Sequence, residues 1–397
     1  MISVKDAFGK VMESAVERDI EYVKLEESSG RVLAEPIFAD RDFPPFDRVC
    51  MDGICISSEA LKKGQKTFEL AGMASAGIPQ KPFMGADKAL EVMTGAILPE
   101  GYDIVVPYEE IETVEGKATL SKADWSTNAN IHKRGIDRAS GTQLLEKGRL
   151  IGAAEVGVLA TVGKSEIAVY KSFSVAVVST GDELVAVHEQ PEAYQIRSSN
   201  SVQIATVLKA KGQDCSIYHI NDDQEVLEKR LREILEKHDM LILSGGVSRG
   251  KLDYVPQTLE KLKVEKYFHR VAQKPGKPFW FGQSSQGVPV FAFPGNPVSA
   301  FLCLHKYCLP FIGRSMGQAL PVVEYAELSE TFSFKKTLTY FAAVGLRNEN
   351  GKLIAHYNPG QGSGDLSNLM DNDAFIELSA DQEVAEKGSL LPVLRYR

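Results

Sequence analysis

Between residues 173 and 312 the chain alternates apolar strand-like runs with helix-like runs, and this rhythm leaves few folds open. SVAVVST (174–180) precedes the helix pattern SNSVQIATVLKAKG (199–212), and CSIYHI (215–220) precedes QEVLEKRLREILEKH (224–238). DMLILS (239–244) ends in two glycines, and VPVFAF (288–293) leads into an apolar helix pattern running through Ile312. Apolar runs too short for helices, each followed by a helix, predict parallel strands joined by right-handed crossovers. The expected fold class is therefore multidomain α/β, built around a doubly wound sheet whose ligands bind beyond the carboxyl ends of its strands.

The flanking sequence has a different texture. Residues 3–18 place Val4, Ala7, Phe8, Val11, Met12 and Ala15 on one helical face, with Ser3 and Asp6 spaced as a capping box. From Val32 to about Asp137, short β-prone runs alternate with turn clusters such as PPFD, GIPQKP and LPEGYD. Residues 141–170 return to short apolar pieces, including AAEVGVLATVG, and after Gly317 the text is β-like to the end. Four parts are expected: a split N-terminal region (1–42 with 138–168), an inserted β-rich domain (43–137), the α/β domain (169–315) and a C-terminal β domain (316–397).

Composition narrows the function classes. A quarter of the residues are charged and 44% are hydrophobic, which fits a globular protein and not a disordered or fibrous one. The richest apolar stretch is interrupted by His305 and Lys306, so no membrane span is expected. Five scattered cysteines without a C-x-x-C pair argue for a reducing cytoplasm and against a zinc or disulfide framework. A net charge of −8 speaks against nucleic-acid binding but permits an anionic ligand wherever cations gather locally.

Four strand ends of the α/β region finish in polar or glycine-rich turns: Thr180-Gly-Asp-Glu183, Asn221-Asp-Asp223, Ser244-Gly245-Gly246-Val-Ser248 and Pro294-Gly295-Asn296-Pro-Val-Ser299. One such turn is ordinary strand–helix punctuation. Four on one sheet edge, with backbone N–H groups and helix N-termini facing the same space, make an anion site. Lys274-Pro-Gly-Lys277-Pro puts two ammonium groups on a turn stiffened by proline, suited to a tetrahedral oxyanion or phosphate. The acids Asp182, Glu183, Asp222 and Asp253 could serve as helix caps, or could hold Mg2+ together with substrate phosphates. GGVSRGKL has the glycines and lysine of a phosphate loop, but Leu252 stands where the metal-binding Ser or Thr belongs, so nucleoside triphosphate hydrolysis is not supported.

Taken together these motifs resemble the MoeA family of molybdenum cofactor biosynthesis. The matching stretches are FPPFDRVCMDGICI, VMTGAILPEGYDIVV, NIHKRGIDRASG, VVSTGDEL, INDD, LILSGGVSRGKLDY, KPGKPFWFG, FPGNPVSAF and PGQGSG, in the family's order from residue 43 to 364. The resemblance implies a molybdopterin-binding α/β domain, a C-terminal β-barrel and an elongated cytoplasmic homodimer. It implies a transferase that inserts molybdate into adenylylated molybdopterin with release of AMP, using Mg2+ and supplied by a molybdopterin adenylyltransferase. Carried over by position, Asp52, Thr94, Asp137 and Glu183 match catalytic residues, and Asp222 and Asp253 match metal ligands. Ser244, Gly245, Gly246, Ser248, Arg270, Lys274, Lys277, Pro294, Gly295, Asn296, Ser299 and Ser363 match the substrate-binding positions. The resemblance also places the GQGSG loop of one subunit near the α/β domain of the other.

Three stretches depart from the family pattern. The usual D-N-S-A-M-D-G reads Asp47-Arg-Val-Cys-Met-Asp52-Gly, and the usual Q-I-Y-D-[ST]-N reads Gln195-Ile-Arg197-Ser-Ser-Asn200. Phe341-Ala342-Ala343 stands where the resemblance leads one to expect an Arg before NENG. An extra Arg and a missing acid make the expected pterin pocket more basic, and the missing Arg removes one expected anion contact. Ala342 in place of the expected Arg motivates a second reading, a molybdopterin-binding scaffold that keeps the pterin site but lacks insertion activity.

Overall fold

Alternate residues of each central strand of the α/β region are buried on opposite faces. Val175 and Val177, Met240 and Ile242, and Phe291 and Phe293 pack on one side, with Ile204 and Leu208 of the helix Asn200–Ala210. Ala176 and Val178, Leu241 and Leu243, and Val290 and Ala292 pack on the other, with Leu227, Leu231, Ile234 and Leu259 of the helices Gln224–Lys237 and Val255–Lys261. Such two-sided burial explains why these strands read as continuous apolar runs. The structure, a computed structural model, describes residues 1–247, 253–335 and 337–397.

The sheet has six strands, in spatial order Asp214–Ile220, Ser174–Thr180, Met240–Ser244, Pro289–Phe293, Trp280–Gln283 and Glu265–His269. The first four are parallel, as the strand–helix rhythm requires. The last two are antiparallel, an edge that the rhythm did not announce because no helix separates them from their neighbours. The apolar helix expected through Ile312 is present as Pro297–Cys303, a single π turn over Leu304–Cys308, and Leu309–Ser315.

The chain divides into two compact units. The first comprises Met1–Glu35, Lys147–Ala153 and Glu166–Arg397, and the second Pro36–Glu146 and Ala154–Ser165. In the first unit the N-terminal helix Val4–Glu13 starts on the Ser3 cap of the expected pair: the Asp6 N–H donates to Ser3 Oγ (3.0 Å), while the Asp6 carboxylate accepts the Ser3 hydroxyl (2.7 Å). Its face of Val4, Ala7 and Val11 joins the core on the Val175 side of the sheet. The C-terminal strands of this unit close on themselves: Thr339–Glu349 pairs with Lys352–Tyr357, then Glu324–Leu328, Leu390–Arg395 and Ala374–Leu378, which returns to Thr339–Glu349. This five-stranded barrel has no free edge along that ring. A two-residue strand, Gln273–Lys274, pairs in parallel with Thr339 and Tyr340 and so fastens the lysine-bearing turn to the barrel.

The second unit holds a six-stranded mixed sheet in the order Ile104–Pro107, Gly53–Ile56, Lys88–Val92, Thr67–Ala74, Lys117–Leu120 and Ile111–Val114. Its two apolar faces are covered separately, one around Val49, Leu90 and Val105 and the other around Ile54, Phe68 and Ile104. No helix among the described residues is long and apolar enough to cross a membrane.

Candidate active site

The parallel strands deliver their end loops to one cavity of about 820 Å3, wholly within the first unit. Its walls include Thr180, Gly181 and Glu183 from the first strand end, Asp222 from the second, Ser244, Gly245 and Gly246 from the third, and Pro294, Gly295, Asn296 and Ser299 from the fourth. Two glycines there are required by the backbone. Gly245 and Gly246 have φ of +103° and +66°, and a Cβ at Gly245 would lie 2.8 Å from the Thr180 carbonyl oxygen. Asn200 opens its helix at the rim and donates to Ser244 Oγ (2.9 Å) and to the Gly295 carbonyl (2.7 Å), locking two strand-end loops together. The helix Asn200–Ala210 thus points its positive end into the cavity.

Cations and acids both line this wall. The turn from Lys274 to Pro278 lines it, and Gly276 within that turn has φ +90°. Among the described residues neither Lys274 nor Lys277 forms an ion pair with a carboxylate; the Lys274 ammonium lies 5.5 Å from the centre of the Phe334 ring. Arg197 adds a third cation. Its guanidinium Nε donates to the Glu189 carbonyl (3.0 Å) and it has no carboxylate partner among the described residues. Three basic side chains without acidic partners around one cavity leave their charge available to an anion.

The acids that line the cavity are Glu183, Asp222 and Asp253. The Asp222 N–H donates to the Asp182 carboxylate (3.0 Å), which draws two acids together. Burial, then the charges of Asp182 and Glu183 with Asp253 further behind, raise the Asp222 carboxyl above the usual range. An acid pushed up by like charges is one whose field a cation would relieve. The donor set fits Mg2+ in its usual mode, with one or two carboxylates and the remaining positions filled by water and substrate phosphate. It does not make an all-protein cage: no cluster of three or more metal-binding side chains occurs among the described residues.

Ser363 lines the cavity from the GQGSG loop. Asn296 Nδ2 donates to Ser363 Oγ (2.7 Å) and the Val298 N–H to the Ser363 carbonyl (3.1 Å). Within its own chain the loop thus docks on the PGNPVS loop. Arg270 does not line the cavity. It sits at φ +79°, and its N–H donates to the Phe279 carbonyl (2.8 Å), closing the base of the lysine loop. Ser248 and the phosphate-loop-like stretch around Lys251 fall largely outside the described residues.

Asp52, Thr94 and Asp137 belong to the second unit. One oxygen of Asp52 accepts both the Thr94 N–H (2.7 Å) and Thr94 Oγ–H (2.8 Å), and these two bonds hold its carboxyl below the usual range. Asp137 lies 2.9 Å from His132 Nε2, and His132 pairs across two short strands with Arg48. Arg48 thus sits directly opposite Asp137's partner in that strand pair, which makes the surface more basic than the usual Asn would.

Phe341, Ala342 and Ala343, the run without the expected Arg, are buried: Ala342 inside the barrel, Phe341 and Ala343 in the core against the α/β sheet. None lines the cavity, so the missing Arg leaves no gap in its wall. Sequence reasoning overlooked Asn200 as the link between loops, and it named Thr180 only as a strand end, without its buried Oγ1, which lacks a hydrogen-bond partner among the described residues. An Asn opening a helix after a strand–loop was the available signal for the first; the second shows only in three dimensions.

Fold and site together define a protein with a doubly wound α/β domain, a cavity beyond its parallel strands lined by cations without acidic partners among the described residues, a five-stranded barrel and, separately, a second β-rich unit. Residues 2–163 match the model described as MoeA N-terminal region (domain I and II). Residues 176–314 match that described as "Probable molybdopterin binding domain", and 325–396 that of the MoeA C-terminal region (domain IV). The chain is 37% identical to the molybdopterin molybdenumtransferase of Synechocystis sp., over 92% of each chain. It is 31% identical to the enzyme of that name from Bacillus subtilis, over all of this chain and 94% of the other. The crystal structure of the molybdopterin biosynthesis moeA protein from Pyrococcus horikoshii OT3 superposes with a TM-score of 0.86 at 25% identity over the full length of both. The chain belongs to the MoeA family.

Proposed function

We propose that this protein is a molybdopterin molybdenumtransferase: it takes adenylylated molybdopterin and molybdate, and yields molybdenum cofactor and AMP. The observation that carries the reading is that one cavity is lined both by the cations Lys274, Lys277 and Arg197 and by the acids Glu183, Asp222 and Asp253. The names of the relatives support the same reaction. Cleaving a phosphoanhydride builds negative charge on the leaving phosphate, and cations fixed in advance stabilise that charge without reorganising. Lys274 and Lys277 bind phosphate and molybdate oxygens, Ser244, Gly245, Gly246 and Asn296 bind through hydroxyl, backbone and amide groups, and Ser363 holds Asn296 in place. Asp222 and Asp253 hold Mg2+ or its waters. When bound, Mg2+ supplies charge neutralisation at the anhydride.

The same reading includes a homodimer, a cytoplasmic location and supply of the substrate by a molybdopterin adenylyltransferase, each resting on the family. Catalytic roles for Asp52, Thr94 and Asp137 rest on the family alone. The scaffold reading loses its motive, because the run lacking the expected Arg is core packing and not cavity wall. Supplying the purified protein with adenylylated molybdopterin, molybdate and Mg2+ tests the proposal. AMP release with cofactor formation is expected; tight pterin binding without AMP release would favour the scaffold.

A further inference from the structure

Gln273 is fully buried, an uncommon place for a carboxamide, and both ends of it are committed. Its Nε2 donates to the carbonyl oxygen of Pro275 (3.1 Å), which lies between the two lysines of the turn. Its Oε1 accepts the hydroxyl of Tyr307, also fully buried. A carbonyl only accepts, so the amide orientation is fixed by the chemistry of Pro275. The next two carbonyls of the turn are taken by backbone donors, Gly276 by the Phe279 N–H (3.2 Å) and Lys277 by the Val271 N–H (2.9 Å). The turn rests directly on the carboxamide: a Cβ at Gly276 would lie 2.5 Å from Gln273 Nε2.

Tyr307 reaches this position from the π turn Leu304–Cys308 that interrupts the helix after the PGNPVS loop. Such one-turn widenings are rare and recur at functional sites. Here the interrupted helix begins at Pro297, beside cavity residue Ser299, and its π turn carries the hydroxyl that orients Gln273. A buried path of two hydrogen bonds therefore joins the fourth strand-end helix to the lysine turn of the same cavity.

We infer that Gln273, oriented by Tyr307, is a positioning residue for Lys274 and Lys277, setting where their ammonium groups meet the anionic substrate. The inference rests on the reading of those lysines as anion ligands. Its test therefore uses inorganic pyrophosphate binding to the whole protein, followed by calorimetry alongside thermal melting, with Lys274→Gln as reference. Gln273→Met keeps the volume and removes both bonds. It should weaken pyrophosphate binding about fivefold to tenfold, and Tyr307→Phe about threefold. In the double variant both polar partners are gone, so the melting temperature should recover towards wild type. Binding should not recover, because the Pro275 carbonyl still lacks its donor.

A merely structural role predicts the opposite: affinity that is unchanged in Gln273→Met, or that returns with stability in the double variant. Either result overturns the inference while leaving the site intact, provided Lys274→Gln weakens binding. Unchanged binding in Lys274→Gln would instead remove the site reading, and this inference with it. Should Gln273→Met fail to fold, Tyr307→Phe decides alone, since it deletes one hydroxyl, and unaltered affinity there overturns the inference.

Discussion

Asn296 and Ser363 are joined side chain to side chain at 2.7 Å, across 67 residues of sequence. The bond ties the end loop of the fourth parallel strand to the loop leading into Leu366–Leu369, and both loops line the cavity. Ser363→Ala should weaken binding of the anionic substrate severalfold while lowering stability by only about 0.5–1.5 kcal/mol, the net worth of one hydrogen bond. Calorimetry beside urea unfolding separates the two effects; an equal loss in both would reduce the pair to a structural tie.

Ala342→Arg tests whether the departure in the barrel is a missing contact or a packing choice. Ala342 is fully buried among barrel side chains, so an arginine there would place an uncompensated charge in the core. A destabilisation of about 3–5 kcal/mol is expected in denaturant melts. A stable variant with tighter pterin binding would contradict the assignment of this position to the core.

The raised carboxyl of Asp222 carries a pH signature. Burial comes first among its causes, then the negative charges of Asp182 and Glu183. A carboxyl raised in the folded state binds more protons there than in the unfolded chain, so stability falls as pH rises through that window. Asp222→Asn should therefore raise the melting temperature at neutral pH, and the gain should shrink as pH falls towards the ordinary carboxylate range. Added Mg2+ should stabilise wild type more than the variant. Equal Mg2+ responses would remove Asp222 from the cation site.

Asp52 behaves in the opposite sense. The Thr94 N–H and hydroxyl hold its carboxyl low. Its contribution to stability is present above the ordinary carboxylate pKa and is lost as pH falls through the lowered value. Thr94→Val removes the hydroxyl donor and should shift the Asp52 titration upward in a carboxyl-detected NMR experiment, while the backbone N–H bond keeps part of the depression.

What the sequence made legible follows a physical divide. The parallel strands were readable because burial on both faces forces runs such as VAVV and LIL. The antiparallel strands Trp280–Gln283 and Glu265–His269 were not, since their pairing depends on a turn closed by the backbone of Arg270, Val271 and Lys277. Lys274, Lys277 and the glycine turns were legible as chemistry because proline and glycine restrict backbone locally. The inert character of Phe341-Ala342-Ala343, the docking of Ser363 on its own chain and the absence of Arg270 from the cavity wall all depend on tertiary packing. No local pattern encodes them.

The central claim is that one cavity divides its labour, cations for the anionic substrate and acids for the metal. Single-turnover AMP release, measured with pterin-nucleotide binding in the same samples, tests it most directly. Lys274→Gln should weaken binding at a cost of about 1.5–3 kcal/mol, that of one charge-assisted hydrogen bond. Asp222→Asn should leave binding nearly intact and slow AMP release, with partial rescue by raised Mg2+. Abolished binding in Asp222→Asn together with unchanged binding in Lys274→Gln would contradict the division of roles.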